Sequence, residues 1–201
     1  FNGCTALESV IFESNSQLTT INTAAFSSCS SIKNIDLPNS LTTISTNAFS
    51  SCSGIVSMII PQDVTQIDGY VFSGCSSLTS IKLSDSTTII GSNAFMGCTA
   101  LETIDLSIYE DLISIGYRAF MNCTNLKSVV LPSNLTRLGN YIFTGCTSLI
   151  SVIFDTNDNW ELSTSSSFPS IITTLSASDV QANAFQYLTN TYSTYYWRVV
   201  Q

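Results

Sequence analysis

Residues 26–49 read FSSCSSIKNIDLPNSLTTISTNAF. The stretch opens and closes alike, with Phe26 three residues before Cys29 and Phe49 three residues before Cys52. The same Phe-x-x-Cys recurs at residues 1–4, 72–75, 95–98, 120–123 and 143–146, and the set accounts for all seven cysteines. Successive cysteines lie 25, 23, 23, 23, 25 and 23 residues apart. A fixed period in this range marks a solenoid, in which each unit buries its apolar face only against its neighbours.

Inside the quoted unit, Ile35 and Leu37 alternate with Asn34 and Asp36. That period of two puts the aliphatics on one face of a short strand and the polar residues on the other. Pro38 follows directly and stops the strand. Leu41, Ile44, Ala48 and Phe49 then bring the chain back on the opposite side, where Phe stacks on Phe from unit to unit. The next unit fills the same slots with Ile55, Met58, Ile60, Pro61, Val64, Ile67 and Phe72, and the sixth with Leu126, Val129, Leu131, Pro132, Leu135, Leu138 and Phe143. The two 25-residue units carry their extra residues at 13–17 and 107–111, where a turn absorbs them. An amphipathic helix is the competing reading of three-to-four spacing. Dense β-branching and regular turn residues argue against it.

The consensus Leu-x-x-Ile-x-Leu-Pro-x-x-Leu-x-x-Ile-x-x-x-Ala-Phe-x-x-Cys resembles the BspA-like leucine-rich repeat family, over about residues 1–154. Gly69, Gly91, Gly116 and Gly139 stand at or near that family's glycine. Ser84 and Ser107 replace its proline and Thr87 an apolar residue. The resemblance implies secreted or surface-anchored proteins of bacteria and some parasitic protists, associated with adhesion to host proteins or other cells. The expected architecture is an α/β-type or mainly β leucine-rich repeat solenoid. It is right-handed and curved, with seven stacked parallel strands, irregular return arms and a C-terminal cap. Residues 1–154 form the repeat array and 155–201 the capping segment.

After Phe154 the period fails. Trp160 stands alone in a Ser/Thr/Asn-rich stretch that Pro169 punctuates, and Ser178 or Asp179 is positioned to cap a short helix running through Leu188. The tail at 192–199, YSTYYWRV, reads first as the cover for the last apolar rung. Two other readings stay open: a sugar-stacking platform of Tyr195, Tyr196 and Trp197, and a degenerate eighth repeat, because Asn183, Ala184 and Phe185 echo Asn47, Ala48 and Phe49.

Composition narrows the function classes. The 201 residues are 44% apolar and 10% charged, too apolar for disorder, and no run approaches the ~18 residues of a membrane span. A formal charge of −8 with six scattered basic residues argues against nucleic acid or an anionic membrane as partner. The chain opens on Phe1 inside a repeat, so a piece of a longer protein is expected. Regular spacing makes the cysteines a ladder of free thiols acting as small core hydrophobes, not a disulfide framework. With no histidine there is no Ser-His or Cys-His nucleophile, and no two cysteines are close enough for a zinc site. Asp155, Asp158 and Glu161 lack EF-hand spacing, so no metal or cofactor is expected.

The residues predict a non-enzymatic binding scaffold that meets a protein partner through its outward strand face, and the resemblance implies that it is secreted or on a cell surface. A spacer or assembly module of a surface layer is the alternative. A carboxylate-only glycosidase or a carbohydrate-binding module comes last. Outward positions pair as Ser9/Ile11, Asn34/Asp36, Ser57/Ile59, Ser80/Lys82, Thr103/Asp105, Ser128/Val130 and Ser151/Ile153. Toward the C-terminal end, Ser128, Val130, Ile150, Ser151 and Ile153 form the candidate partner-binding set, since exposed aliphatics without a folding role mark contacts. The competing expectation is that the capping tail folds over them.

Overall fold

The computed structural model describes residues 1–154, 156–167 and 171–200. Asp155 and Pro169, each singled out above, lie outside the described residues. In chain order the strands are β1 (Thr20–Ile21), β2 (Thr43–Ile44), β3 (Ser57–Ile59), β4 (Gln66–Ile67), β5 (Ser80–Lys82), β6 (Ile89–Ile90) and β7 (Thr103–Asp105). They continue as β8 (Ser114–Ile115), β9 (Ser128–Leu131), β10 (Arg137–Leu138), β11 (Ser151–Phe154), β12 (Trp160–Ser163) and β13 (Thr173–Leu175). Helix α1 (Ala177–Gln186), a π-helical turn (Tyr187–Thr191) and β14 (Tyr196–Val199) complete the chain.

The chain is a β-solenoid of stacked parallel strands. Each unit contributes three sides, and each side hydrogen-bonds to the same side of the next unit. The outward side holds β3 paired with β5, and β7, β9 and β11 paired in series, with Ser57 opposite Ser80, Thr103 opposite Ser128 and Ser128 opposite Ser151. The return side is more regular than expected. Two-residue strands β1 and β2 pair, and β4, β6, β8 and β10 run on as one parallel ladder. The third side carries the Phe-x-x-Cys segments, where Phe26 N–H donates to Ala48 O, Phe49 N–H to Val71 O and Phe72 N–H to Ala94 O.

Along the outward column, strands occupy five of the seven expected places; residues 9–11 and 34–36 carry none. The ladder also breaks between β5 and β7, and the 25-residue unit shows why. Its extra residues bring in Tyr109, whose buried hydroxyl accepts the Leu83 N–H at 3.1 Å. A side chain thus takes a donor that the neighbouring strand does not reach.

The core follows the alternation. Ile35, Met58, Ile60, Leu83, Ile104, Leu106, Val129 and Leu131 are buried, with Leu37 and Ile81 half-buried. Phe1, Phe26, Phe49, Phe72, Phe95, Phe120 and Phe143 form one stack with ring centroids 5.3 to 5.9 Å apart. Cys29 through Cys146 are buried free thiols, while Cys4 is exposed. They do more than fill space. Each Sγ donates to the Phe carbonyl of the preceding unit, as in Cys52 to Phe26 O (2.9 Å), Cys75 to Phe49 O (3.2 Å) and Cys98 to Phe72 O (3.2 Å). Desolvation pushes Cys52 and Cys98 up to about 12 and Cys75 well above its ordinary value.

The departures from the consensus are absorbed locally. Ser84 uses its hydroxyl to bond Gln62 O at 2.6 Å and to accept Ser86 N–H, so it supplies the turn that proline makes elsewhere. Thr87 is buried and its Oγ1 has no partner, a cost for the hydroxyl at an aliphatic position. Gly116 is required by backbone approach. A Cβ there would meet Ser92 N at 2.6 Å and Gly91 C at 2.7 Å in the preceding unit.

The C-terminal strands continue the return-side sheet but reverse its direction. β14 pairs antiparallel with β10, β12 with β14 and β13 with β12, placing Trp197 opposite Leu138 and Trp160 opposite Val199. Both tryptophans are buried, and Trp160 meets Phe154 edge-on at 5.3 Å. Glu161 binds Arg198 across the β12 and β14 pair at 2.8 Å. Helix α1 starts earlier than expected, with Ser176 as its cap: the Ser176 hydroxyl accepts Asp179 N–H. It packs beside β11 through buried Val180 and Ala184.

Candidate partner-binding face

Three columns of side chains cover the outward side. The middle one is nearly uniform: Ser57, Ser80, Thr103, Ser128 and Ser151 stand at successive strand positions, with Asn34 and Ser9 before them. Small hydroxyls there keep the face flat and let the flanking columns project. One flank reads Glu8, Lys33, Val56, Thr79, Glu102, Lys127 and Ile150, and the other Ile11, Asp36, Ile59, Lys82, Asp105, Val130 and Ile153. Both flanks change chemistry from rung to rung, except between Val130 and Ile153, while the inward set stays aliphatic. Variation of this kind is compatible with a surface released from folding constraint.

Several of the charges are already engaged. Lys127 Nζ sits 2.7 Å from Glu102 Oε2 on the adjacent rung, and Asp105 Oδ1 accepts the Ser107 N–H at 3.0 Å and the Ser107 hydroxyl. The aliphatics are not engaged. Ile11 is 90% exposed, Ile59 70%, Ile150 77% and Ile153 52%. Of the five candidate residues, Ser128, Val130, Ser151 and Ile153 meet across the β9 and β11 pair, Ile153 directly opposite Val130 and Ser151 opposite Ser128. Ile150 precedes β11 and donates its N–H to Lys127 O. Helix α1 and the tail leave Ile150 and Ile153 open to solvent.

The aromatic tail is arranged differently from a flat platform. Trp197 is buried against the return-side sheet, and Tyr192 lies edge-on to both Tyr195 and Trp197. The sugar-stacking trio of Tyr195, Tyr196 and Trp197 is therefore not assembled. Nor does Phe185 join the phenylalanine stack; it sits at the surface, so the echo of Asn-Ala-Phe at 183–185 is an echo in sequence only. Glu161, considered for a cation, is held by Arg198.

The pattern reading missed a recurring turn that sends some of its side chains to the surface. The residue two before each Phe from Phe26 onward has a left-handed backbone, at Ala24, Asn47, Tyr70, Asn93, Arg118 and Tyr141. Asn tolerates that conformation, whereas Arg and Tyr pay for it in strain. Asn47 and Asn93 were the signal available in the sequence. The turn throws Arg118 and Tyr141 outward on adjacent units, where the Arg118 guanidinium lies 4.5 Å from the Tyr117 ring centroid and 5.6 Å from that of Tyr141.

Comparison with known proteins accounts for the repeat. A family model described as the BspA type leucine rich repeat region, in six copies, matches residues 1–107 and 101–197. The chain belongs to this family. A leucine-rich repeat protein from Bacteroides ovatus is similar at 28% identity over 76% of this chain and 50% of that one, with a TM-score of 0.54. This chain thus spans half the length of that protein. The T. pallidum leucine rich repeat protein is similar at 28% identity, covering 72% of this chain and 68% of that one, with a TM-score of 0.65. Comparison with curated proteins gives no match. Among the described residues no helix is long and apolar enough to cross a membrane.

Proposed function

We propose that this leucine-rich repeat chain is a non-enzymatic binding module, secreted or displayed on a cell surface, that engages a protein partner through its outward strand face. Residues 1–154 supply the face and 155–201 the segment that ends it. Contact centres on Ser128, Val130, Ile150, Ser151 and Ile153. One observation carries this reading: Ile150 and Ile153 are 77% and 52% exposed beside Val130, while the inward set of the same rungs, Val129, Leu131, Val152 and Phe154, already fills the core. Exposed aliphatics flanked by small hydroxyls give a contact a desolvatable centre with a polar rim. A catalytic role has less support, because Glu102, Asp105 and Glu161 are each bonded to a neighbouring side chain.

The double change of Val130→Asp and Ile153→Asp tests this. Binding to a panel of extracellular-matrix proteins and whole cells is expected to be lost while the melting temperature stays put. A large fall in melting temperature would make the patch part of the core. Undiminished binding would move the contact elsewhere, and no binding by the unaltered chain would favour a spacer role.

A further inference from the structure

We infer that a second site, on the return side and independent of the strand face, binds a carboxylate-bearing saccharide. A cleft of about 280 Å³ opens where β8 and β10 meet β14, and Tyr117, Arg137, Tyr196, Ser92, Ser114 and Ser166 line it. That volume is near the lower end of ligand clefts, roughly 300 Å³, and suits one sugar ring.

The charge arrangement points to an anion. The protein carries −8 overall, yet Arg137 lines this cleft beside Tyr117, the residue on whose ring Arg118 lies. Arg137 stands directly opposite Arg198 across the β10 and β14 pair, and Arg198 opposite Glu161 across β14 and β12. Like charges facing each other across a ladder repel. Glu161 bonds Arg198, and among the described residues Arg137 and Arg118 have no carboxylate partner. Arg118 stacks on the Tyr117 ring with its Nε–H buried and without an acceptor, on a backbone held at φ 54°. The Arg118 guanidinium lies on the Tyr117 ring and Arg137 lines the same cleft, and among the described residues no carboxylate pairs with either. Arginine matches the planar fork of a carboxylate.

The rest of the lining selects a sugar over a bare anion. The Tyr117 ring offers an apolar wall for the C–H face of a pyranose, which phosphate or acetate would leave unused. Ser92, Ser114, Ser166 and the Tyr196 phenol both donate and accept, as ring hydroxyls require. Tyr117 and Tyr196 are distant in sequence and meet through the β10 and β14 pairing.

Titration calorimetry of the full chain with tetragalacturonate, with a neutral galactose tetramer and with acetate tests the assignment. The expected result is binding of the uronate, at least tenfold weaker binding of the neutral tetramer and of acetate, and weakening by salt. Arg137→Gln, which alters an exposed side chain, and Tyr117→Leu should each weaken uronate binding at least tenfold. Tyr117→Phe should retain it, and Val130→Asp with Ile153→Asp should leave it unchanged. No uronate binding, equal binding of the neutral tetramer, or uronate binding indifferent to Arg137→Gln would overturn the inference.

Discussion

Alkaline pH should unfold this protein through its thiol column, and Cys98 sets the scale. Its side chain is fully buried, and desolvation outweighs the bond to the preceding unit in pushing it up to about 12 from an ordinary value of 9.0. Below about pH 8.5 the thiol is protonated in folded and unfolded chains alike, so pH has no effect through it. Above that, the unfolded chain releases the proton while the folded chain keeps it. Stability then falls by about 1.4 kcal/mol per pH unit until the folded value is reached, roughly 4 kcal/mol in all. Cys75 and Cys52 shift in the same direction and steepen the loss. The assay is the urea midpoint followed by circular dichroism between about pH 8 and pH 11 under reductant, for the native chain and for Cys98→Ser. Serine keeps a donor for Phe72 O but does not titrate in this range. The stability gap between the two proteins is therefore expected to move in favour of the serine variant by about 1.4 kcal/mol per pH unit. Parallel pH profiles would refute the reasoning, as would rapid reaction of the native thiols with a maleimide near neutral pH.

Two further substitutions probe how the units are held together. Gly116→Ala should cost about 2 kcal/mol, and lower the melting temperature by roughly 4–8 °C, because the new methyl meets backbone of the preceding unit. Gly69→Ala, whose nearest obstacle is Ser92 O at 3.3 Å, should cost less; equal effects would remove the close-approach argument. Trp197→Ala should cost about 3–5 kcal/mol in denaturant unfolding by uncovering Leu138 and Trp160. A loss below about 1 kcal/mol would show that β14 does not seal the end of the return-side sheet.

The flat, variable outward face has a physical origin that bears on both proposed sites. In a solenoid each side chain lies beside its counterpart from the next unit, so any column can be uniform or varied without disturbing the others. The inward columns are uniform because the Phe stack and thiol ladder admit only shapes that repeat. On the outside, the middle column is uniform and its two flanks vary. The Arg118 and Tyr141 column varies too, despite the backbone strain it carries. Two sides of one coil thus carry side chains that the core does not dictate.

The repeat, the strand position in five of the seven units, the phenylalanine stack and the burial of the thiols from Cys29 onward were legible in the sequence, because local spacing alone sets them. Seven copies of Phe-x-x-Cys can stack in register in only one way, and period two after each Cys-x-x-Leu decides which residues face inward. The outward placement of Ile59 and Ile153 follows from the same alternation, whereas Ile150 is exposed just before its strand begins, where the alternation does not reach. Four features were decided only by tertiary structure, each because it depends on what the neighbouring unit offers. The thiols turn out to be donors because the Phe carbonyl of the preceding unit lies within reach. Tyr109 enters the core because the inserted residues at 107–111 face a donor left open on Leu83. The tail runs antiparallel and buries Trp197, since the free edge of β10 accepts a strand of either direction and nothing in YSTYYWRV specifies which. Tyr196, far along the sequence, joins Tyr117 and Arg137 in one cleft only when that strand docks. Local periodicity determines a repeating core, whereas contacts between chemically different segments exist only once the chain has closed on itself.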